Sequence, residues 1–261
     1  MNPPILPVAP HNILYGLVFF LIGCQGAPED TSTETAARDS AALDSASALQ
    51  QALSDREEMD PLEQSLVDAG LVNVQSVDST ILVDLRYSTT NNFVGVDVYG
   101  ALDHAYLQAE PARRLAEANT YLKERNSDYT LYIFDAVRPR RVQQILWDTL
   151  DYPEKEKPKY VANPQEGSIH NYGAAVDLTI ADAEGHPLDM GTGFDYFGVL
   201  AYPTKEEEML AQGNLTEEQI ANRRLLREVM TQAGFTPIQT EWWHFNALSR
   251  EEADRKYGIV E

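Results

Sequence analysis

The chain has 261 residues, 43% of them hydrophobic, with 41 Asp+Glu against 20 Lys+Arg and a formal net charge of -21. At about 100–200 residues per domain this makes one or two domains, with apolar residues enough for a packed core. The charge excludes a basic nucleic-acid face and a polybasic membrane contact, and the single cysteine, Cys24, excludes a disulfide framework or a cysteine zinc cluster.

The apolar run over residues 13–23 is shorter than the roughly 20 residues of a bilayer span and has the length of a signal-peptide h-region. Leu21-Ile22-Gly23-Cys24 resembles a bacterial lipobox, which implies cleavage after Gly23 and lipid on Cys24. Gln25 resembles the outer-membrane sorting pattern, so the expected location is periplasmic, on the outer membrane, with the lipid as the one membrane contact. Residues 1–12 hold no Lys or Arg, and an ordinary signal peptide is the alternative. Residues 25–65 carry 10 acids and 2 bases, a net of -8, and no aromatic residue. Such a segment buries too little surface to offset its ordering entropy and reads as a solvated, disordered acidic tether, with a transient helix over 42–53. The expected organisation is a lipoprotein-type signal peptide over 1–23, a flexible tether over 24–60 and one folded domain over 61–261.

Within the folded part, Ile81 to Tyr87 reads as a strand with alternating apolar positions. A helix opens near Pro111, at a position that suits a first turn. Tyr129 to Phe134 is a second strand. After Pro139 a helix follows, with Val142, Ile145, Leu146 and Leu150 at helical spacing. Ala175 to Ile180 is a third strand. Asn214 to Ala233 is a helix, with Thr216 and Gln219 as a capping box and Gly234 as its stop. Thr240 to Asn246 is a last, aromatic strand. The mixture lacks a βαβ rhythm, so the fold class is α+β.

Two motifs carry chemistry. In Ser168-Ile169-His170-Asn171-Tyr172-Gly173-Ala174-Ala175-Val176-Asp177, the strand parity puts Val176, Leu178 and Ile180 on one face and Asp177 on the other. A carboxylate inside an apolar strand is costly unless it is paired or metal-bound. His170, on the loop entering that strand, can converge with Asp177 on one cation. The second motif is Glu241-Trp242-Trp243-His244-Phe245. Residues three apart on a regular strand face opposite ways, so Glu241 and His244 share a site only if the backbone bends or Glu241 lies just outside the strand. Two imidazoles and a carboxylate suit zinc and leave a coordination position open, as in catalytic sites. The plainer readings are core packing for the tryptophans and a salt bridge or cap for Asp177.

The combined pattern, Ser-x-His-x-x-Gly-x-Ala-x-Asp followed by Glu-x-x-His, resembles the M15 family of zinc peptidases. The Glu-Trp-Trp-His form resembles its VanX-type D-alanyl-D-alanine dipeptidase branch. Asp84 to Gly95, the segment Phe134 to Arg141 and the loop Met190 to Asp195 are similar to further parts of that branch. The resemblance implies a single zinc-peptidase domain, with a central mainly antiparallel sheet flanked by helices. It implies one zinc ion per chain on His170, Asp177 and His244, with Glu241 as general base and Arg138 holding the developing oxyanion. It assigns Asp195 and Tyr87 to the ammonium of a small D,D-dipeptide, and Ser168 to its carboxylate side. For Arg138 a salt bridge to a nearby acid is the plainer reading, and for Asp195 a loop turn. The function implied is hydrolysis of D-alanyl-D-alanine to free D-alanine in cell-wall peptide metabolism. The alternatives are a peptidoglycan D,D-carboxypeptidase and a zinc-retaining, non-catalytic binding protein. His11, His104 and His186 fall outside every motif and read as surface residues.

Overall fold

The computed structural model describes residues 59–261; the signal peptide, Cys24, His11 and nearly all of the tether lie outside them. Asp60, the last residue of the expected tether, caps helix α1 (Pro61–Asp68), its carboxylate accepting from the backbone of Leu62 and Glu63. A two-stranded antiparallel ribbon, β1 (Val72–Asn73) with β3 (Tyr106–Leu107), brackets the one-turn helix α2 (Val74–Val77) and strand β2 (Leu82–Val83). Helix α3 (Ala109–Arg125) then leads to β4 (Thr130–Asp135), α4 (Arg140–Thr149) and β5 (Ala175–Ala181). Short α5 (Glu206–Ala211), long α6 (Glu217–Gln232), β6 (Thr236–Pro237), β7 (His244–Asn246) and α7 (Arg250–Lys256) complete the order. No helix among the described residues is long and apolar enough to cross a membrane.

The main sheet has the order β2-β4-β5-β7-β6, parallel only between β2 and β4. This is the expected α+β arrangement, with a mainly antiparallel sheet and helices α3 and α6 packed on each other and against it. All seven residues of β5 are buried. Val176, Leu178 and Ile180 enter the main apolar core beside Leu115, Leu122, Leu226 and Met230. The other parity carries Asp177 and Thr179.

Two expected strands are shorter than their apolar patterns. The segment from Ile81 pairs only over Leu82–Val83, with one further bond from Asp84 N to Ile133 O. At Arg86–Ser88 the chain turns into a 3-10 helix, which buries Tyr87. The last strand covers only His244–Asn246, because the backbone bends at Trp242 and Trp243. The capping box of α6 is present as expected, with Thr216 Oγ1 accepting from Gln219 N and Gln219 Oε1 accepting from Thr216 N.

Gly173 ends the 3-10 turn Ile169–Tyr172 at φ 65°, and its carbonyl accepts from Gln108 N. A Cβ there would lie 2.7 Å from Leu71 Cδ2 and 3.3 Å from the backbone nitrogen of Gln108. The left-handed conformation alone costs an L-residue about 1–2 kcal/mol. Gly173→Ala is expected to lose at least that in urea unfolding, and to weaken cation binding through the displaced turn; an unchanged midpoint would remove this role.

Candidate metal centre and catalytic cavity

The sheet register builds the site. Asp135 on β4 pairs with Asp177 on β5, and Asp177 pairs with His244 on β7, so the three lie in one row across three strands. The ladder shifts between Ile133 and Asp135, an irregularity of the kind that re-aims side chains beside active sites. His170 arrives from the turn before β5. That turn is fastened to the Arg138 segment by Arg138 N donating to His170 O and by Asn171 Nδ2 donating to Arg138 O.

His170, Asp177 and His244 together form a cluster able to hold one metal ion. His170 Nε2 lies 3.1 Å from His244 Nδ1 and 3.3 Å from Asp177 Oδ1, and His244 Nδ1 lies 2.9 Å from Asp177 Oδ1. The outer nitrogens decide the tautomers. His170 Nδ1 donates to the Ala136 carbonyl at 2.6 Å, and His244 Nε2 donates to Asn246 Oδ1 at 2.9 Å. The two inner nitrogens of the neutral rings are therefore lone-pair donors facing each other and a carboxylate. Such an arrangement repels itself unless a cation sits within it, and outer hydrogen bonds of this kind orient metal-binding histidines. Burial opposes the charge on the Asp177 carboxyl as well, a cost that a cation held between it and the two rings would offset.

The cluster opens into a cavity of about 240 Å³, which also takes in Tyr87, Arg138, Ser168, Asp195 and Glu241. All eight expected site residues of the folded domain thus share one cavity. Glu241 stands outside β7, beyond the Trp242–Trp243 bend, with Oε2 3.9 Å from His244 Nδ1; this meets the geometric demand of the Glu-x-x-His spacing. Tyr87 Oη donates to Asp195, 3.0 Å from Oδ2. Asp195 is the one non-glycine residue with positive φ, 60°, among the described residues, a conformation that Asp tolerates better than most. Ser168 Oγ is buried and has no protein partner. His104 and His186 lie off the site, bonded to Glu63 and set near Asp182.

The model of the D-ala-D-ala dipeptidase family matches residues 67–259. The chain belongs to the M15 peptidase family. It is 32% identical to a D-alanyl-D-alanine dipeptidase of Escherichia coli (strain K12) over 175 residues, 67% of this chain and 83% of that protein. To the protein of the same name from Synechocystis it is 29% identical over 181 residues, 59% of this chain and 73% of that one. To that from Streptomyces coelicolor it is 28% identical over 197 residues, 69% and 93%.

In this peptidase Arg138 is both an ion-pair partner and a cavity residue. It is 8% exposed; Nε and Nη2 donate to Asp135 Oδ2 at 2.9 and 2.6 Å, and Nη1 donates to Gln143 Oε1 at 3.1 Å. A guanidinium has five N–H donors. Three are committed, and Nη2 also faces Asp177 Oδ2 at 3.5 Å, which leaves an Nη1 hydrogen uncommitted beside the cavity. Asp135, Gln143, Tyr99 (whose hydroxyl donates to Asp135 Oδ1 at 2.6 Å) and Asn246 belong to the site's supporting shell. Sequence reasoning missed them as site residues. For Asp135 the signal was its position in the Asp-x-x-Arg segment; Tyr99, Gln143 and Asn246 had none.

Burial raises the Glu241 carboxyl to about 7, with His244 opposing and Asp177 and Asp195 adding. That suits a group that must take up a proton near neutrality. Burial likewise raises Asp195 to about 8, against the pull of Arg138. The linkage has a definite sign: the folded state keeps this proton to higher pH than the unfolded chain, whose Asp titrates near 3.9. The Asp195 contribution to stability therefore falls as pH rises from about 4 to about 8. Asp195→Asn, which keeps a side chain tolerant of positive φ and does not ionise, should lack this pH dependence and so gain steadily on wild type as pH rises between those limits. Urea unfolding at pH 5 and pH 9 checks this, and equal differences at the two pH values would refute it.

Proposed function

We propose that this metallopeptidase hydrolyses the free dipeptide D-alanyl-D-alanine, with zinc as its metal. The observation that carries the reading is the Asp195–Tyr87 pair in the same small cavity as the His170–Asp177–His244 cluster. A carboxylate there pairs with a free ammonium, which a dipeptide has and an internal peptide nitrogen lacks. The donor set of two imidazoles and one carboxylate fits zinc. Zinc bound there would supply an acidified water and polarise the scissile carbonyl.

The remaining work falls to side chains. Glu241 takes the proton of the attacking water and returns it to the departing amine, which its raised affinity for protons favours. Arg138, fixed by Asp135 and Gln143, offers its free Nη1 hydrogen to the carbonyl oxygen as charge develops there. It costs no reorganisation at that moment, and donors of this kind are worth about 100–1000-fold in rate. Ser168 Oγ, lacking a protein partner, is available to the substrate carboxylate.

A hydrolysis panel tests the reading. Free D-Ala-D-Ala should turn over, N-acylated D-Ala-D-Ala should fail, and L,L dipeptides should be poor. Chelation should abolish activity and zinc should restore it. Glu241→Gln should lose about 100-fold or more in kcat with its metal content unchanged. Turnover of the N-acylated substrate equal to that of the free one would identify a carboxypeptidase.

We also propose export and lipidation at Cys24, supported by Leu21-Ile22-Gly23-Cys24 and the acidic segment after it. The enzyme would then act on cell-wall fragments outside the cytoplasm. Metabolic labelling with a fatty-acid alkyne should mark the wild-type chain and not Cys24→Ser; labelling of both, or of neither, would count against the anchor.

A further inference from the structure

Besides its histidines, the catalytic cavity is lined by three cations, Arg138, Lys159 and Arg250. Arg138 is balanced by Asp135 at 2.6 Å, and Lys159 Nζ lies 3.5 Å from Glu156. Arg250, the first residue of α7, is exposed, and no carboxylate among the described residues pairs with it. Two backbone carbonyls hold its guanidinium instead: Nη1 donates to Glu166 O at 2.8 Å, and Nη2 donates to Gly167 O. Carbonyl dipoles fix the plane of the group without cancelling its charge. Of its five N–H donors, three stay uncommitted.

This side chain is anchored at both ends. Its backbone opens α7, where Ser249 and Glu252 form a capping box. The carbonyls it meets belong to a turn closed by Gly167 N donating to Asn163 O at 2.9 Å. Gly167 has φ 78°, and a Cβ there would come within 2.9 Å of Ile259 Cδ1, so the turn packs directly on the segment after α7. Ser168 and His170, both in the cavity lining, follow at once in the chain. Arg250 therefore sets an unbalanced positive charge on the Ser168 side of the cavity. The buried carboxyl group of Asp195 is bonded elsewhere, to Tyr87.

A dipeptide zwitterion brings a carboxylate as well as an ammonium. Arg138 has its charge balanced by Asp135 and its free hydrogen assigned to the scissile carbonyl. We propose that Arg250 receives the terminal carboxylate of the substrate, as a binding residue of the same cavity. A guanidinium with free donors in one plane suits a carboxylate, and charge-assisted hydrogen bonds are about twice as strong as neutral ones. The inference rests on the dipeptide reading above and uses only its carboxylate end. That carboxylate keeps its charge throughout hydrolysis. The contact thus holds substrate and transition state alike, and its loss falls on KM rather than kcat.

The test compares D-Ala-D-Ala with its C-terminal carboxamide on the full-length, zinc-loaded enzyme. The carboxamide keeps the scissile bond and the free amine but has no negative end. Wild type should favour the acid by about tenfold in kcat/KM, mostly through KM, the low end for a hydrogen bond to a charged group because Arg250 is exposed. Arg250→Gln should lose about that factor with the acid and little with the amide, at unchanged zinc content. Arg250→Lys, which keeps the charge, should recover part of the loss. Lys159→Gln is the comparison and should leave the preference for the acid in place. Three results overturn the inference: equal losses on both substrates in Arg250→Gln, which a brace of the 166–170 turn would give; no loss on either; or an acid-specific loss in Lys159→Gln instead. Each of these leaves wild-type turnover of the free dipeptide, and so the proposed hydrolysis, standing. A wild-type enzyme inert towards D-Ala-D-Ala would overturn that reading, and this inference with it.

Discussion

Arg138 touches nearly every part of the catalytic cavity's frame. It bonds Asp135 on β4, Gln143 on α4 and, at longer range, Asp177 on β5, and its guanidinium carbon lies 5.2 Å from the Tyr87 ring centroid. Its backbone fixes the turn that carries His170. Asp135 is fully buried, so without this cation it would be an uncompensated charge, a loss typically of about 3–5 kcal/mol. Burial opposes the charge on Arg138 too, but the surrounding Asp135, Tyr87, Tyr99 and Asp177 raise its proton affinity well above the ordinary value. Charge neutralisation and positioning are thus one contact, and the donor left over for chemistry exists because the others are taken.

The row Asp135, Asp177 and His244 shows why an antiparallel sheet suits this task. Adjacent strands bring directly opposed residues within side-chain reach, so three functional groups from distant sequence positions need only the register to be correct. Register is firm here because β5 is buried on both faces, and a slip of one residue would exchange Asp177 for Val176 or Leu178. The groups that the sheet cannot supply come from its margins: His170 from a turn closed by Gly173, and Glu241 from the bend before β7.

Much of this was legible in the sequence, because local patterns carried it. The alternation in β5, the capping box of α6 and the parity conflict between Glu241 and His244 are statements about neighbouring residues, and the fold honours each of them. The readings that missed depended on distant partners. Ile81 to Tyr87 has strand composition, yet tertiary packing turns the chain at Arg86 so that Tyr87 can meet Asp195, 108 residues away. Thr240 to Trp243 is aromatic and strand-like, but Trp242 and Trp243 pack edge-to-face at 89° on a bent backbone. Gln143 and Tyr99 sit in unremarkable contexts, and only the fold reveals that each bonds a buried ion. Thr179 reads as an ordinary strand residue, yet the fold buries its hydroxyl without a protein partner.

The proton affinities of the cavity bear on which substrates it can hold. Empty, Asp195 keeps a proton up to about pH 8, and the α-amino group of a peptide titrates near the same point, at about 7.7–8.0. Their complex needs one proton for the pair. Below that pH the free partners carry two and binding releases one; above it they carry none and binding takes one up. If Asp195 receives the ammonium as proposed, affinity for a free dipeptide would be greatest where the two titrations meet, slightly above neutrality. An N-acylated peptide has no titrating nitrogen and leaves Asp195 protonated, able to offer one neutral hydrogen bond and no ion pair. On the proposed role of Asp195, selection for a free amino end would follow from burying a carboxyl group beside Tyr87, at the cost in stability that an ionisable group in a dry position carries.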